Sequence, residues 1–242
     1  MKMKSLAARF LIGFLALGAL AAQASVPIEV KVPIEDVFSP KGFDSNDNSQ
    51  VIISGYLPNL CHRAPKSIVN IEDKKINIDV VSLRYDASNP YCPEMIVPFV
   101  EAIDLGVLDK GMYDVVVNGK SVYEKKSQLQ VAHAQSDAVD EHVYAAVEYI
   151  ERNEGSRRIV LKGYNPSDCF VLDEIEVLDN EKNVYSILPK MKQISDHCPM
   201  KMMPFDYEVN VPDRLEADRV LLHVRSIEGR SVNSIFNSAG AR

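Results

Sequence analysis

Along most of this chain apolar and polar residues alternate in short runs, and turn residues separate the runs every 8 to 12 positions. A period of two with that punctuation predicts strands, and almost no stretch sustains the 3.6-residue period of a helix. Val26 to Ile34 alternates as a first strand. Gln50 to Tyr56 contains the continuous run Val51, Ile52, Ile53, as expected of a strand buried in a sandwich. Ile68 to Ile71 and Ile76 to Leu83 read as a hairpin across Glu72 to Lys75, with Ile76, Ile78 and Val80 on one side and Asn77 and Asp79 on the other. Ile96 to Asp104 follows, and then an alternating strand that ends at Val117. Asn118-Gly119 is the strongest hairpin signal, because both residues accept the positive φ of a type I′ turn.

The pattern then starts again. Gly55-Tyr56-Leu57-Pro58-Asn59-Leu60-Cys61 returns as Gly163-Tyr164-Asn165-Pro166-Ser167-Asp168-Cys169, and Cys92-Pro93 to Pro98-Phe99 returns as Cys198-Pro199 to Pro204-Phe205. The offsets are 108 and 106 residues, so the chain is a tandem repeat with its order of parts preserved. Ile175 to Leu178 and Val184 to Leu188 repeat the first hairpin. Val220 to Arg225 and Ser231 to Phe236 form another, turning at Glu228-Gly229.

Residues 126–143 break the alternation. Val139, Val143, Val147 and Ile150 fit a helix face capped by Asp137, whereas Val147, Tyr149 and the turn at 153–156 match the opening of the first copy. The segment 126–143 is read as a linker and 144–152 as a strand. The expected architecture is all-β, with β-sandwich repeats at 25–125 and 144–242.

Within the first repeat, Leu108, Gly111 and Tyr113 precede a valine-rich strand. This resembles the tyrosine corner of immunoglobulin-like and fibronectin type III-like sandwiches, whose phenol bonds to an upstream backbone group. The chain as a whole resembles bacterial exported proteins built of tandem immunoglobulin-like sandwiches. The resemblance implies two such domains, and the cysteines, two per repeat, give each one disulfide.

The N-terminus changes the expected location. Lys2, Lys4 and Arg9 precede an apolar run from Phe10 to Ala22 and the small-residue pattern Ala22-Gln23-Ala24, which reads as an export signal over 1–24. The run has 13 residues, and a spanning helix needs roughly 20, so no membrane span is expected after cleavage. The expected location is periplasmic or secreted. Of three possible pairings of four cysteines, equivalence of the repeats favours Cys61 with Cys92 and Cys169 with Cys198.

Without residues 1–24 the chain carries 24 Lys and Arg against 34 Asp and Glu, a net charge of −10. Such a surface repels phosphate backbones, which argues against nucleic acid as a partner. No G-x-S-x-G, H-E-x-x-H, P-loop or G-x-G-x-x-G is present, and the five histidines are scattered. A non-enzymatic binding module that needs no cofactor and acts on a protein or envelope component is therefore the leading expectation. Strands running up and down as antiparallel neighbours bring loops 59–65 and 86–92 and the Asn118-Gly119 tip to one pole. The candidate interaction residues are His62, Arg63, Asn89, Tyr91 and Asn118 in the first copy, and Asp168, Phe170, Asp196 and His197 in the second.

Two alternatives belong to other classes. His197, Met200 and Met202 combine imidazole and thioether donors of the kind copper prefers. Against this, Ile96 and Val97 occupy the positions of Met202 and Met203 in the first copy, which reads as interchangeable core packing. A hydrolase would need an unrecognised site assembled by the fold.

Overall fold

The computed structural model describes residues 26–85, 91–136, 142–153, 156–215 and 217–237. The proposed export signal, loop residues 86–90 with Asn89, and the centre of the segment read as linker lie outside the described residues.

The first repeat consists of β1 (Ile28–Lys31), β2 (Ile34–Phe38), β3 (Phe43–Asp44), β4 (Asn48–Leu57), β5 (Lys66–Glu72), β6 (Lys75–Arg84), β7 (Val97–Val107), β8 (Gly111–Val117) and β9 (Lys125–Ala132). The second consists of β10 (Val143–Tyr144), β11 (Val147–Arg152), β12 (Arg158–Asn165), β13 (Phe170–Asp179), β14 (Val184–Gln193), β15 (Met203–Asn210), β16 (Arg219–Arg225) and β17 (Ser231–Asn237). Each repeat is a two-sheet β-sandwich with one disulfide. In the first, sheet A holds β5, β6, β1, β8, β9 and β3, and sheet B holds β2, β4 and β7. In the second, sheet C holds β13, β14, β10, β16 and β17, and sheet D holds β11, β12 and β15. Apart from β3, which pairs with β9 and has no counterpart in sheet C, the pairings repeat strand for strand, down to a bulge at Ile34/Asp36 in β2 and at Val147/Tyr149 in β11.

Two sequence expectations are corrected here. Lys125–Ala132 is a strand of sheet A, paired with β8 and burying Leu129 and Val131, so the linker reading fails for this stretch. Its alternation is short and interleaved with glutamines, which hid it beside the apparent helix face that follows. The strands are also not all antiparallel neighbours: β6 pairs β8 in parallel, and β14 pairs β16 in parallel.

The parallel pair creates a local problem that one side chain solves. β8 pairs β6 only as far as Ile78, and further along the same edge β1 pairs Val81 to Arg84. Asn118 stands at the changeover. Val80 N–H donates to its Oδ1 at 2.8 Å, and its Nδ2 donates to the Val32 carbonyl at 2.9 Å, so the carboxamide fills the gap in the ladder. Asn118 is 0 % exposed, and seven residues, 118–124, connect β8 to β9. A two-residue turn at Asn118-Gly119 is therefore not formed. At Glu228-Gly229 both residues do have positive φ, 61° and 68°, and the expected tight connection stands.

The tyrosine corner is present in the first repeat, where the Tyr113 hydroxyl donates to the Asp109 carbonyl at 2.8 Å. In the second repeat Tyr185, on β14, does a comparable job. Its hydroxyl donates to the Pro212 carbonyl at 2.6 Å and accepts from the Arg214 and Leu215 amides.

Sheets B and C face each other, so the four sheets stack in the order A, B, C, D. In β16, Val220, Leu222 and Val224 fill the second sandwich, while Leu221, His223 and Arg225 point the other way, toward the first. Phe38 and Ile52 of sheet B pack with Val184 and Leu221 of sheet C. Polar contacts frame this joint: Arg219 pairs with Glu35 and Asp36, the Lys41 amide donates to Ser186, and Ser231 donates to Gln50. Arg225 makes a bidentate pair with Asp47 at 2.7 and 3.0 Å, with both side chains 3 % exposed. Its guanidinium also lies over the rings of Phe43 and Tyr144.

The order of these contacts sets the relative direction of the repeats. Along β2 and onward, Asp36, Phe38 and Asp47 meet Arg219, Leu221 and Arg225 in that sequence. β2 runs away from the disulfide end of the first sandwich, while β16 runs toward the disulfide end of the second. The two disulfide ends consequently point in opposite directions.

Candidate interaction surface

Each disulfide end is built by the same local rules. β4 and β12 end at Pro58 and Pro166, where the ring removes the backbone donor a strand would need. Asn59 Oδ1 then accepts the Cys61 amide at 3.0 Å, and Ser167 Oγ accepts the Cys169 amide at 3.1 Å, which turns the chain into the cysteine. Cys61–Cys92 and Cys169–Cys198 are bonded, with Cα separations of 5.6 and 5.4 Å. Each bridge ties the loop after β4 or β12 to the loop before β7 or β15. Tyr85 N–H to the Cys61 carbonyl, and Ile194 N–H to the Cys169 carbonyl, add equivalent backbone bonds.

These held loops carry large apolar side chains outward. On the first pole Leu60, Tyr91, Met95 and Ile96 are exposed, Tyr91 to 86 %. On the second pole Ile194, Met200 and Met202 are exposed, Met200 to 96 %. The core-packing reading of Met202 is thereby corrected. β15 starts only at Met203, so Met200 and Met202 belong to the loop, and Ile96, in the matching place, is exposed too.

The other sequence-chosen residues divide between the poles. His62 Nδ1 lies 2.9 Å from Asn59 Oδ1; partial burial pushes its pKa below the ordinary value, opposed by a hydrogen bond to the Asn59 backbone and helped by the nearby Arg84 charge. Arg63 is exposed, lies over the Tyr85 ring and donates to its hydroxyl. Asp168 is exposed and pairs with Lys201 at 3.2 Å, Phe170 is half-buried, and Asp196 and His197 are exposed. Asn118 is withdrawn from the surface, as described. For copper, the sulfur of Cys198 is bonded to Cys169, and among the described residues no group of three His, Cys, Asp or Glu side chains is placed to hold a metal.

A cleft of about 440 Å³ between the repeats brings His133 and His142 together with Lys41, Asp44, Glu176 and Lys190. No Ser, Thr or Cys lines it among the described residues. Lys190 is held by Glu174 and Glu176, each at 2.8 Å. Burial opposes its charge, but the two carboxylates outweigh that and raise its pKa. The lysine is thus kept protonated and occupied.

Sequence reasoning missed Asp47, His223 and Arg225, the most deeply buried ionisable groups at the joint. The signal available was the matching position: the residue after Val117 is Asn118, and the residue after Val224 is Arg225.

A family model described as the ORF11 beta-sandwich domain matches residues 51–128, from within β4 to within β9. No curated protein matches the chain, and no solved structure does.

Proposed function

We propose that the protein is a non-enzymatic interaction module of an oxidising, extracytoplasmic compartment, and that it engages another protein or an envelope component through its disulfide-tied poles. The observation that carries this reading is the set of large apolar side chains held outward on stapled loops: Leu60, Tyr91, Met95 and Ile96 at one pole, and Ile194, Met200 and Met202 at the other. Grouped exposed apolar residues mark interaction sites, and methionine in particular adapts to varied partners. Loops already fixed by a disulfide and by turn hydrogen bonds lose less conformational freedom on binding than free loops do. The two disulfides and the signal-like N-terminus support the compartment.

Support for a non-enzymatic role comes from where the reactive groups are spent. His223, Asp47 and Arg225 are consumed in the joint between the repeats, and Lys190 is occupied by two carboxylates. The test is capture from envelope extract by wild-type protein and by two surface variants, Leu60→Asp/Ile96→Asp and Met200→Asp/Met202→Asp. All four positions are exposed, so melting should be unchanged. The reading expects a partner retained by wild type and lost at least tenfold by one of the variants. Equal retention by all three proteins would refute it.

A further inference from the structure

His223 is the most deeply buried titratable side chain of the joint. It is 0 % exposed and projects from β16 into the space between sheets B and C. Its Nδ1 is 2.9 Å from Asn233 Oδ1 on β17, its ring meets Phe43 edge-on, and its register partner on β14 is Ser186. Nε2 is buried without a hydrogen-bond partner. The charged groups around it are Arg225, two residues along the same strand, and Asp47 from the turn before β4, whose carboxylate is already engaged by that arginine. Asp44, beside Phe43 on β3, is the other carboxylate of this turn, and its Oδ1 accepts the Asn46 amide.

We infer that protonation of His223 uncouples the two sandwiches, making the sheet B–sheet C contact an acid-sensitive joint in an otherwise stable molecule. The joint is the weak layer. Among the described residues the two sandwich cores contain 18 and 13 buried apolar residues, against four in the cluster between the repeats, beside which Leu188 lies against Gly42. An imidazolium in that layer would place a second positive charge beside Arg225 with its Nε2 proton unreceived, a cost relieved when the sheets part and water enters. Parting would uncover Phe38, Ile52, Val184 and Leu221 and create an apolar surface that exists only in acid.

Burial, with a smaller contribution from Arg225, pushes the His223 pKa from 6.5 down to about 4, while its bond to Asn233 acts in the other direction. The open state therefore binds the proton more tightly than the closed state. Closure has its full strength above about pH 6.5 and loses it progressively as pH falls toward 4, by about tenfold in the open-to-closed ratio per pH unit.

The test follows parting of the repeats in the whole protein by urea titration, read by small-angle scattering and uptake of an apolar dye, with far-UV circular dichroism for strand content. Between pH 6.5 and 4.5 the wild-type open-to-closed ratio should rise by about 40-fold, with strand content retained. In His223→Gln it should rise less than threefold. An equal rise in both proteins would assign the effect to carboxylates and overturn the inference. No rise in wild type, or loss of strand content in the same step, would overturn it as well. If His223→Gln does not fold at pH 7.5, NMR of the wild-type imidazole decides: His223 must take up its proton in step with parting, and parting with His223 still neutral would contradict the inference.

Discussion

Gly55 and Gly163, the residues that open the repeated motif, are required by close approach of backbone. A Cβ at Gly55 would overlap the Pro33 carbonyl oxygen and lie 2.8 Å from the Phe99 ring. One at Gly163 would overlap the Ala146 carbonyl and lie 2.9 Å from the Phe205 ring. In both copies the strand before the bulge crosses directly over the glycine, and the phenylalanine of the second motif closes the other side. Gly163→Ala is expected to destabilise the protein by about 1 to 3 kcal/mol, the usual cost of overpacking, measured by urea denaturation. A neutral result would show that the crossing strand is free to move. The motif was legible as a repeat of Gly, Tyr, Pro, Cys and Phe. Its reason was not, because the atom that excludes a side chain belongs to the residue just ahead of a strand, more than 15 residues away in sequence.

At the scale of the element, β16 shows which part of a pattern a sequence reveals. Its alternation identifies a strand, and Val220, Leu222 and Val224 are recognisable as core. Nothing local says that Leu221, His223 and Arg225 are buried as well, since that depends on a turn some 180 residues earlier. Matching the repeats supplies the missing signal. The outward pair Val184–Leu221 of sheet C corresponds to Lys75–Asp114 of sheet A, and Ile52 of sheet B corresponds to Val160, beside Glu208, in sheet D. Lys75 and Asp114 are charged where Val184 and Leu221 are apolar, and Glu208 stands where sheet B has Ala102. The open face of sheet D is further laced by pairs of Lys162 with Glu151 and Asp206, and of Arg158 with Glu208. Such faces oppose the addition of another sheet. The buried pair that completes β16 has a measurable signature. Arg225→Met should cost about 3 to 5 kcal/mol, because it strands the Asp47 charge in the interior. Asp47→Asn with Arg225→Met should cost clearly less than the two single changes summed. Additive losses in that double-mutant cycle would mean that the two groups do not interact.

The whole molecule is a four-layer stack in which one sandwich is inverted relative to the other. This arrangement gives the proposed function its geometry: the two stapled poles face away from each other, so they cannot press on one flat partner together. They also differ in chemistry. Leu60 of the first pole is matched by Asp168 of the second, which pairs with Lys201, and Tyr91 is matched by His197. From the sequence, two sandwiches, two disulfides and the pole loops were readable, because each depends on local pattern and on repetition. The joint and the inversion were not, since they arise from side chains that meet only after both sandwiches exist.

The most direct test of this arrangement is a cross-link between the repeats. Gln50 on β4 and Ser231 on β17 face each other across the joint, with the Ser231 hydroxyl donating to Gln50 Oε1 at 2.7 Å. In a Gln50→Cys/Ser231→Cys variant the account predicts that mild oxidation forms a bond within one chain, at a rate independent of protein concentration and with the two native disulfides intact. Failure to cross-link, or a bond that forms only between chains, would contradict the stacking of sheet B on sheet C.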